Sequence, residues 1–285
     1  MKVAIAGGSG FCFGVQRAMD MAFKYADENK EVYSLGEIIH NPQEVRRLSE
    51  AGAKHVERIS DIKKGSNAII STHGITPERE TRLKKLCRGV LDTTCPYVKI
   101  IHQIVRKLSE AGYKTVIVGD RKHLEVRGIL GHAGKNSVVI EDEKDLKNAR
   151  FSGKIGIVSQ TTQNFSAYRS ITCAIIDKVL KTRHAEVRVY NTICDATQNR
   201  QDAAVALARK SDVMVVVGGK NSANTLRLAE LSRRELKHVY HVESAEEIKP
   251  SWFKGKKRAG IAAGASTPAR IIMSVVNRIK KIGEK

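Results

Sequence analysis

Residues 91–123, LDTTCPYVKIIHQIVRKLSEAGYKTVIVGDRKH, contain one α/β unit of the chain. A short strand signal runs into Cys95, an amphipathic stretch follows, and a β-branched strand then ends close to His123. The apolar residues of the middle stretch recur at helical spacing, whereas the flanking apolar runs have the length of buried strands. A strand, a helix and a second strand in this order are typical of a parallel sheet covered by helices.

The spacing of this unit recurs twice more in the 285-residue sequence. Three cysteines each precede a polar residue by 28 positions: Cys12 and His40, Cys95 and His123, Cys194 and Ser222. A further strand signal in each repeat ends at polar residues, namely His73 in STHG, Thr161 and Thr162 in SQTT, and Ser266 in GASTP. Because ligands bind at the carboxyl ends of strands in open α/β sheets, we expect these residues to line one site.

The repeat predicts an α/β fold of three lobes, each with a small, mostly parallel sheet. Lobe 1 covers residues 13–95, lobe 2 covers 96–194 and lobe 3 covers 195–285. The third repeat lacks a last strand, which the N-terminal segment 1–12 with KVAIA supplies. The chain would then close into a pseudo-threefold trefoil around a central site. The alternative is three Rossmann-like units in a row with accidental equal spacings.

The three repeated cysteines predict a metal site, because convergent thiolates repel one another unless a metal binds them. Structural zinc often uses Cys-x-x-Cys pairs, and no such pair occurs in the sequence. An iron–sulfur cubane normally takes four thiolates, so three would leave one iron free to act as a Lewis acid. A zinc site of three cysteines and one histidine stays open as the competitor. We expect Cys87 and Cys173, which lie in helical stretches outside the repeat, to be small buried hydrophobes.

The composition indicates an anionic partner or a well-solvated basic surface, because the net charge is +20. Only 5% of the residues are aromatic. Basic and aromatic residues do not interleave in the pattern that is typical of a platform for stacking nucleic-acid bases. The sequence has no apolar run of membrane-spanning length and no signal-peptide pattern, so we expect a cytoplasmic protein that does not enter a membrane. Five cysteines are too few for a disulfide scaffold.

The polar residues at the strand ends have the chemistry to bind phosphate oxygens. They are His40, His73, His123, Thr161, Thr162, Ser222, Asn224 and Ser266. Glu125 lies two residues after His123, where a carboxyl group is either a proton donor or a solvated loop acid.

Nine motifs in order make the sequence similar to the family of 4-hydroxy-3-methylbut-2-enyl diphosphate reductases, iron–sulfur enzymes of the LytB type. The motifs are GFCFGV at Cys12, IIHN at His40, STHG at His73, DTTCP at Cys95, HLEV at His123, SQTT at Thr161, TICDATQNRQ at Cys194, KNSANTLRL at Ser222 and GASTP at Ser266. The resemblance extends from near residue 1 to about residue 280.

The resemblance implies a trefoil around a 4Fe–4S cluster held by Cys12, Cys95 and Cys194. It implies reductive loss of the allylic hydroxyl, giving isopentenyl and dimethylallyl diphosphates. Glu125 would supply the proton to the leaving oxygen, and Thr161 or Thr162 would orient it. The diphosphate would lie among His40, His73, His123, Ser222, Asn224 and Ser266. The basic charge suits an acidic electron donor such as a ferredoxin or flavodoxin.

Three positions depart from the family pattern. Leu124 stands where a proline is usual, Ala223 where a serine is frequent, and Ala269 where an acidic residue is common. Ala223 therefore offers the substrate only its backbone N–H. Two other functions stay open: a basic nucleic-acid-binding protein with a structural zinc, and an iron–sulfur protein of the same fold that acts on another hydroxylated anion.

Overall fold

The computed structural model describes residues 1–147 and 149–284, which contain twelve β-strands and nine α-helices, mostly in alternation. The strands are β1 (Lys2–Ile5), β2 (Val32–Leu35), β3 (Ala53–Val56), β4 (Asn67–Ile70), β5 (Gly89–Asp92), β6 (Lys114–Val118), β7 (Ser137–Ile140), β8 (Lys154–Ser159), β9 (Glu186–Val189), β10 (Val213–Val217), β11 (Val239–Val242) and β12 (Arg258–Ala263). The helices are α1 (Phe13–Glu28), α2 (Pro42–Glu50), α3 (Pro77–Leu86), α4 (Pro96–Glu110), α5 (Leu124–Ala133), α6 (Phe165–Val179), α7 (Asp195–Ala208), α8 (Ala223–Glu235) and α9 (Ala269–Gly283).

The strands form three four-stranded sheets within the described residues, and every described ladder is parallel. Their orders are β3-β2-β4-β5, β7-β6-β8-β9 and β11-β10-β12-β1. In each sheet, the strand that follows a cysteine-led helix lies second, and the strand that leads into a cysteine lies at one edge. The predicted α/β fold with three small parallel sheets is therefore confirmed.

The third sheet takes its edge strand from the N-terminus. Lys2 of β1 is paired with Arg258 of β12, and Ile5 with Ile261. Contact density divides the chain into two compact units. One consists of Met1–Gln16, Ile39–Glu44 and Asp195–Lys285, and the other of Arg17–Ile38 and Val45–Cys194. This division is coarser than three lobes, and the predicted lobe boundaries stay a prediction.

Apolar residues on both faces explain why the sheets are covered by helices. All five residues of β10 are buried, as expected for a strand that packs against helices on both sides. On α9, Ile271, Val275 and Ile279 recur at helical spacing and pack in one core cluster with Val213 and Val215. No helix in the described part of the chain is long and apolar enough to cross a bilayer.

The short strand β3 is an element that the sequence analysis did not predict. Helix α7 begins at Asp195, directly after Cys194, so Cys194 precedes a helix as the repeat predicts. An acidic residue in the first turn suits the positive end of the helix dipole, a polar signal that apolar periodicity does not detect.

The prediction that Cys173 is a buried hydrophobe is wrong. Cys173 lies on α6 and is exposed, because it falls outside the buried stripe that contains Thr172 and Ile175. Cys87 follows the last residue of α3 and is half-buried. Burial raises the pKa of the Cys87 thiol, which disfavours its thiolate form.

Candidate active site

The three repeated cysteines all lie at a junction between a strand and a helix. Cys12 directly precedes α1, Cys95 is the N-cap residue of α4, and Cys194 directly precedes α7. All three are partly exposed, and no disulfide joins the cysteines within the described chain. A helix N-terminus favours negative charge, so these positions suit thiolate ligands.

A backbone hydrogen bond connects each of these cysteines to a neighbouring strand-end loop. In each case the cysteine N–H donates to a carbonyl oxygen two residues beyond the end of β12, β4 or β8. The bonds are Cys12 to Ala265 at 3.3 Å, Cys95 to Thr72 at 3.0 Å and Cys194 to Thr161 at 3.1 Å. The predicted binding residues Ser266, His73 and Thr162 directly follow the acceptors. In all three repeats, this backbone hydrogen bond therefore places a predicted metal ligand beside a predicted binding loop.

Glu125 is a buried acid whose carboxylate accepts two hydrogen bonds from Thr161. Its side chain lies in the first turn of α5 and is 3% exposed. The N–H of Thr161 donates to Glu125 Oε1 at 2.6 Å, and the Thr161 hydroxyl donates to Oε2 at 2.8 Å. Two donors on one carboxylate offset part of the desolvation cost of a buried charge. Glu125 is therefore not the solvated loop acid of the alternative interpretation.

Contacts distinguish Thr161 from Thr162, which the sequence did not. Backbone register places Thr162 at the position equivalent to His73 and Ser266. However, Thr161 contacts Glu125, whereas the Thr162 hydroxyl accepts a hydrogen bond from Gln160 Nε2 at 3.0 Å. Thr161 is thus the threonine that orients the buried acid.

His123 lies beside both Glu125 and His73. It is the N-cap residue of α5, and its Nδ1 accepts a hydrogen bond from the Glu125 N–H at 3.1 Å. In the neutral ring the proton must then reside on Nε2, which can donate to a ligand. The His73 and His123 rings meet edge to face, with centroids 5.4 Å apart. The structure therefore brings together His73, His123, Glu125 and Thr161 in one compact unit.

The N-terminus of α8 has the polar groups of an anion site. Ser222 is its N-cap residue and accepts from the Thr225 N–H at 3.4 Å. Ala223 is the first helical residue, so its N–H has no partner within the helix. Asn224 is 4% exposed, and both polar atoms of its amide lack a partner among the described residues. A buried amide of this kind costs free energy unless a ligand binds it.

The loops of His40 and Ser266 are joined by two direct hydrogen bonds, in the same compact unit as α8. The Ser266 hydroxyl donates to the His40 carbonyl at 3.0 Å, and Asn41 Nδ2 donates to the Ser266 carbonyl at 2.8 Å. Asn41 Oδ1 also accepts from the N–H of Gln43 at 3.1 Å and of Glu44 at 3.3 Å, which caps α2. The sequence analysis missed Asn41, although an Asn before Pro-x-Glu is a recognisable helix start.

Two glycines that the sequence analysis did not select allow these loops to approach closely. A Cβ atom on Gly219 would lie 2.5 Å from the His40 carbonyl oxygen. A Cβ atom on Gly264 would lie 2.0 Å from Thr225 Oγ1 and 3.6 Å from Asn224 Nδ2. Only glycine fits at either position, and the loops of His40, Asn224 and Ser266 depend on it.

Comparison with known proteins gives matches over nearly the whole chain. The family model described as LytB protein matches residues 3–280. A 4-hydroxy-3-methylbut-2-enyl diphosphate reductase of Geobacter sp. strain M21 is 46% identical over 99% of this chain and 98% of its own length. The enzyme of that name from Aquifex aeolicus strain VF5 is 45% identical over 100% of this chain and 98% of its own length.

Two solved structures are also similar. One, of (E)-4-hydroxy-3-methyl-but-2-enyl diphosphate reductase, the terminal enzyme of the non-mevalonate pathway, is 45% identical and has a TM-score of 0.69. The match covers 99% of this chain and 100% of that one. The other, the E-1-hydroxy-2-methyl-but-2-enyl-4-diphosphate reductase of Plasmodium falciparum, is 28% identical with a TM-score of 0.89, over 97% and 87% of the two chains.

The contact between Thr161 and Glu125 predicts unequal effects of two matched substitutions. Thr161→Val removes a donor from a buried carboxylate and should lower the free energy of unfolding by about 1.5–3 kcal/mol. Thr162→Val removes a neutral hydrogen bond and should cost about 0.5–1.5 kcal/mol. Urea denaturation under anaerobic conditions measures both. Equal losses would contradict the assignment of Thr161 to Glu125.

Proposed function

Because the chain belongs to the LytB protein family, we propose that it reduces 4-hydroxy-3-methylbut-2-enyl diphosphate in the last step of the non-mevalonate isoprenoid pathway. The structural observation that carries the proposal is the bond from Cys194 to Thr161, since Thr161 also holds the buried Glu125. A proton donor and a metal-binding thiol are thereby fixed to one residue. The full-length family match replaces the alternative of a zinc-dependent nucleic-acid-binding protein.

The reaction exchanges a hydroxyl group for a hydrogen. Two electrons and two protons enter, the carbon–oxygen bond breaks, and water leaves. The allylic carbon skeleton accepts the second proton at either end, which gives isopentenyl or dimethylallyl diphosphate. Hydroxide is a poor leaving group, so the site must protonate the oxygen as the bond breaks.

Membership of the family implies an iron–sulfur cofactor. In this proposal a 4Fe–4S cluster is bound by Cys12, Cys95 and Cys194. The residues fit such a group: each thiol is partly exposed, lies at a helix start and has its backbone fixed by a hydrogen bond. When bound, the cluster supplies electrons and a Lewis-acidic iron that lacks a protein ligand.

The diphosphate is bound by residues that follow the ends of strands. They are His40, His73, His123, Ser222, Asn224 and Ser266, together with the backbone N–H of Ala223. The unpartnered amide of Asn224 supports this role, as does the Nε2 proton of His123. With the diphosphate fixed, the allylic end of the substrate is restricted to few positions, which favours reaction by proximity.

Glu125 donates the proton to the leaving oxygen. Its burial raises the cost of the charged form, and the two hydrogen bonds from Thr161 orient it. The Thr161 hydroxyl contacts the carboxyl group of Glu125, so it can pass or orient that proton.

The electron donor is an acidic carrier of the ferredoxin or flavodoxin kind. The chain has 50 basic and 30 acidic residues, so a carrier with negative charge is attracted over a long range.

Substitution of the cysteines tests the cluster ligands. Cys12→Ser, Cys95→Ser and Cys194→Ser should each strongly reduce the iron bound per protein, because serine is a poor ligand for iron–sulfur clusters. Cys87→Ser and Cys173→Ser, which lie outside the repeat, serve as matched controls and should keep wild-type iron. Iron loss in the Cys87 variant equal to that of the others would count against the assignment.

Anaerobic reduction of the substrate with a chemical donor tests both the function and the acid. The wild-type protein should form the two C5 diphosphates. Glu125→Gln can accept from the Thr161 N–H through Oε1 and donate to the Thr161 hydroxyl through Nε2, but it cannot release a proton, so turnover should fall by about 10²–10⁴-fold while substrate still binds. Asp120→Asn, at the next acid in sequence, should retain activity. Near-normal turnover of Glu125→Gln would remove Glu125 from the mechanism, and absence of product from the iron-loaded wild type would refute the function.

Ionic strength tests the proposed electron donor. The Debye length falls from about 30 Å at 0.01 M to about 10 Å at 0.1 M salt, so steering of an acidic carrier is screened. Turnover driven by a ferredoxin or flavodoxin should decrease steeply over this range, and turnover with a small uncharged donor much less. Identical salt profiles would mean that the basic charge does not serve the carrier.

A further inference from the structure

Two histidines outside the proposed site form a stacked pair under the loop of His73. His102 lies on α4 and His132 on α5, with ring centroids 3.9 Å apart and planes at 25°. The His132 Nε2 lies 3.1 Å from the Ile75 carbonyl oxygen. A carbonyl oxygen can only accept, so this nitrogen carries the proton and donates.

The 71–75 loop rests directly on this pair through Gly74. Gly74 has φ +71, and a Cβ atom there would lie 2.8 Å from His102 Cε1 and 3.1 Å from Thr94 Cγ2. A Cβ atom on Gly128 of α5 would lie 3.5 Å from both His102 Nε2 and the His73 carbonyl oxygen. The loop, α4 and the segment before Cys95 therefore leave no space for a methyl group on Gly74, whereas a methyl group on Gly128 would make ordinary van der Waals contacts.

His102 is buried and His132 is half-buried, and a lowered pKa keeps both rings uncharged at neutral pH. His102 is 5% exposed, and burial, followed by the charges of His132 and Arg106, lowers its pKa to about 3. Burial likewise lowers the pKa of His132, against the opposing effect of its hydrogen bond to Ile75. Neutral rings stack without repulsion, so the pair can act as a rigid support.

We propose that His102 and His132 are positioning residues of the diphosphate site, which fix the 71–75 loop through Gly74 and Ile75 and thereby present His73 to the substrate. The inference rests on the proposed function, because it takes His73 as a ligand of the diphosphate. The rings touch neither the substrate nor the reacting atoms in this account, so their effect belongs to binding and not to the chemical step.

Measurements of substrate affinity and of turnover on the iron-loaded protein separate an effect on binding from an effect on the chemical step. His102→Ala and Gly74→Ala should each weaken binding of 4-hydroxy-3-methylbut-2-enyl diphosphate about tenfold or more, as expected for a displaced hydrogen bond to a charged group. Calorimetry measures the affinity under anaerobic conditions, and kcat should stay within about threefold of wild type. His102→Phe keeps a flat ring against Gly74 and should restore affinity to within about threefold of wild type.

The double variant Gly74→Ala, His102→Ala tests the contact itself. Removing the imidazole relieves the overlap of the new methyl group with His102 Cε1, although φ +71 strains an alanine at position 74 in either background. Gly74→Ala should therefore weaken binding less in the His102→Ala background than in the wild type. Effects of the two substitutions that simply multiply would overturn the proposal.

Leu108→Ala is the control for general weakening of α4. Leu108 is 2% exposed on the same helix and packs against Gly156 instead of the 71–75 loop. The Leu108→Ala substitution should lower the melting temperature but leave the affinity for substrate unchanged. Equal affinity loss in Leu108→Ala, or unchanged affinity in both His102→Ala and Gly74→Ala, would refute the positioning role alone. A wild-type protein that binds no substrate would overturn the proposed function as well.

Discussion

The hydrogen bond from each cysteine N–H to a strand-end carbonyl is the interaction on which the proposed site depends. Parallel strands bring their carboxyl ends to one edge, and this bond then fixes the start of the next helix against a loop of the neighbouring strand. Near Cys194 the acceptor is Thr161, whose side chain and N–H hold Glu125. Near Cys95 the acceptor is Thr72, next to His73. The proposed metal ligands, acid and anion ligand thus lie next to a backbone hydrogen bond that recurs in the chain.

Much of this arrangement is predictable because the repeat spacing has a physical basis. A helix and a strand of fixed length return the chain to the same sheet edge, so 28 positions separate Cys95 from His123 and Cys194 from Ser222. Both end points prove to be N-cap residues, of α5 and α8. The family motifs then identify the chemistry that spacing alone left open between iron–sulfur and zinc.

The rest depends on contacts that spacing does not encode. In the first repeat the cap of α2 is formed by Asn41, one residue beyond the expected His40. Thr161 and Thr162 are adjacent and of the same residue type, so the sequence does not distinguish them. Tertiary packing brings the Thr161 hydroxyl to Glu125 and the Thr162 hydroxyl to Gln160. Cys173 is exposed because it lies outside the buried face of α6. A single cysteine in the sequence does not indicate which face of the helix is buried.

Mössbauer spectroscopy of the iron-loaded protein directly tests whether three cysteines bind a four-iron cluster, since it reports on each iron. Three cysteine ligands for a cubane of four irons leave one iron without a protein ligand. We expect about a quarter of the iron to give a distinct signal, and this signal alone to shift when 4-hydroxy-3-methylbut-2-enyl diphosphate is added. A spectrum in which all irons have equivalent thiolate ligation and do not respond to the substrate would contradict ligation by three cysteines.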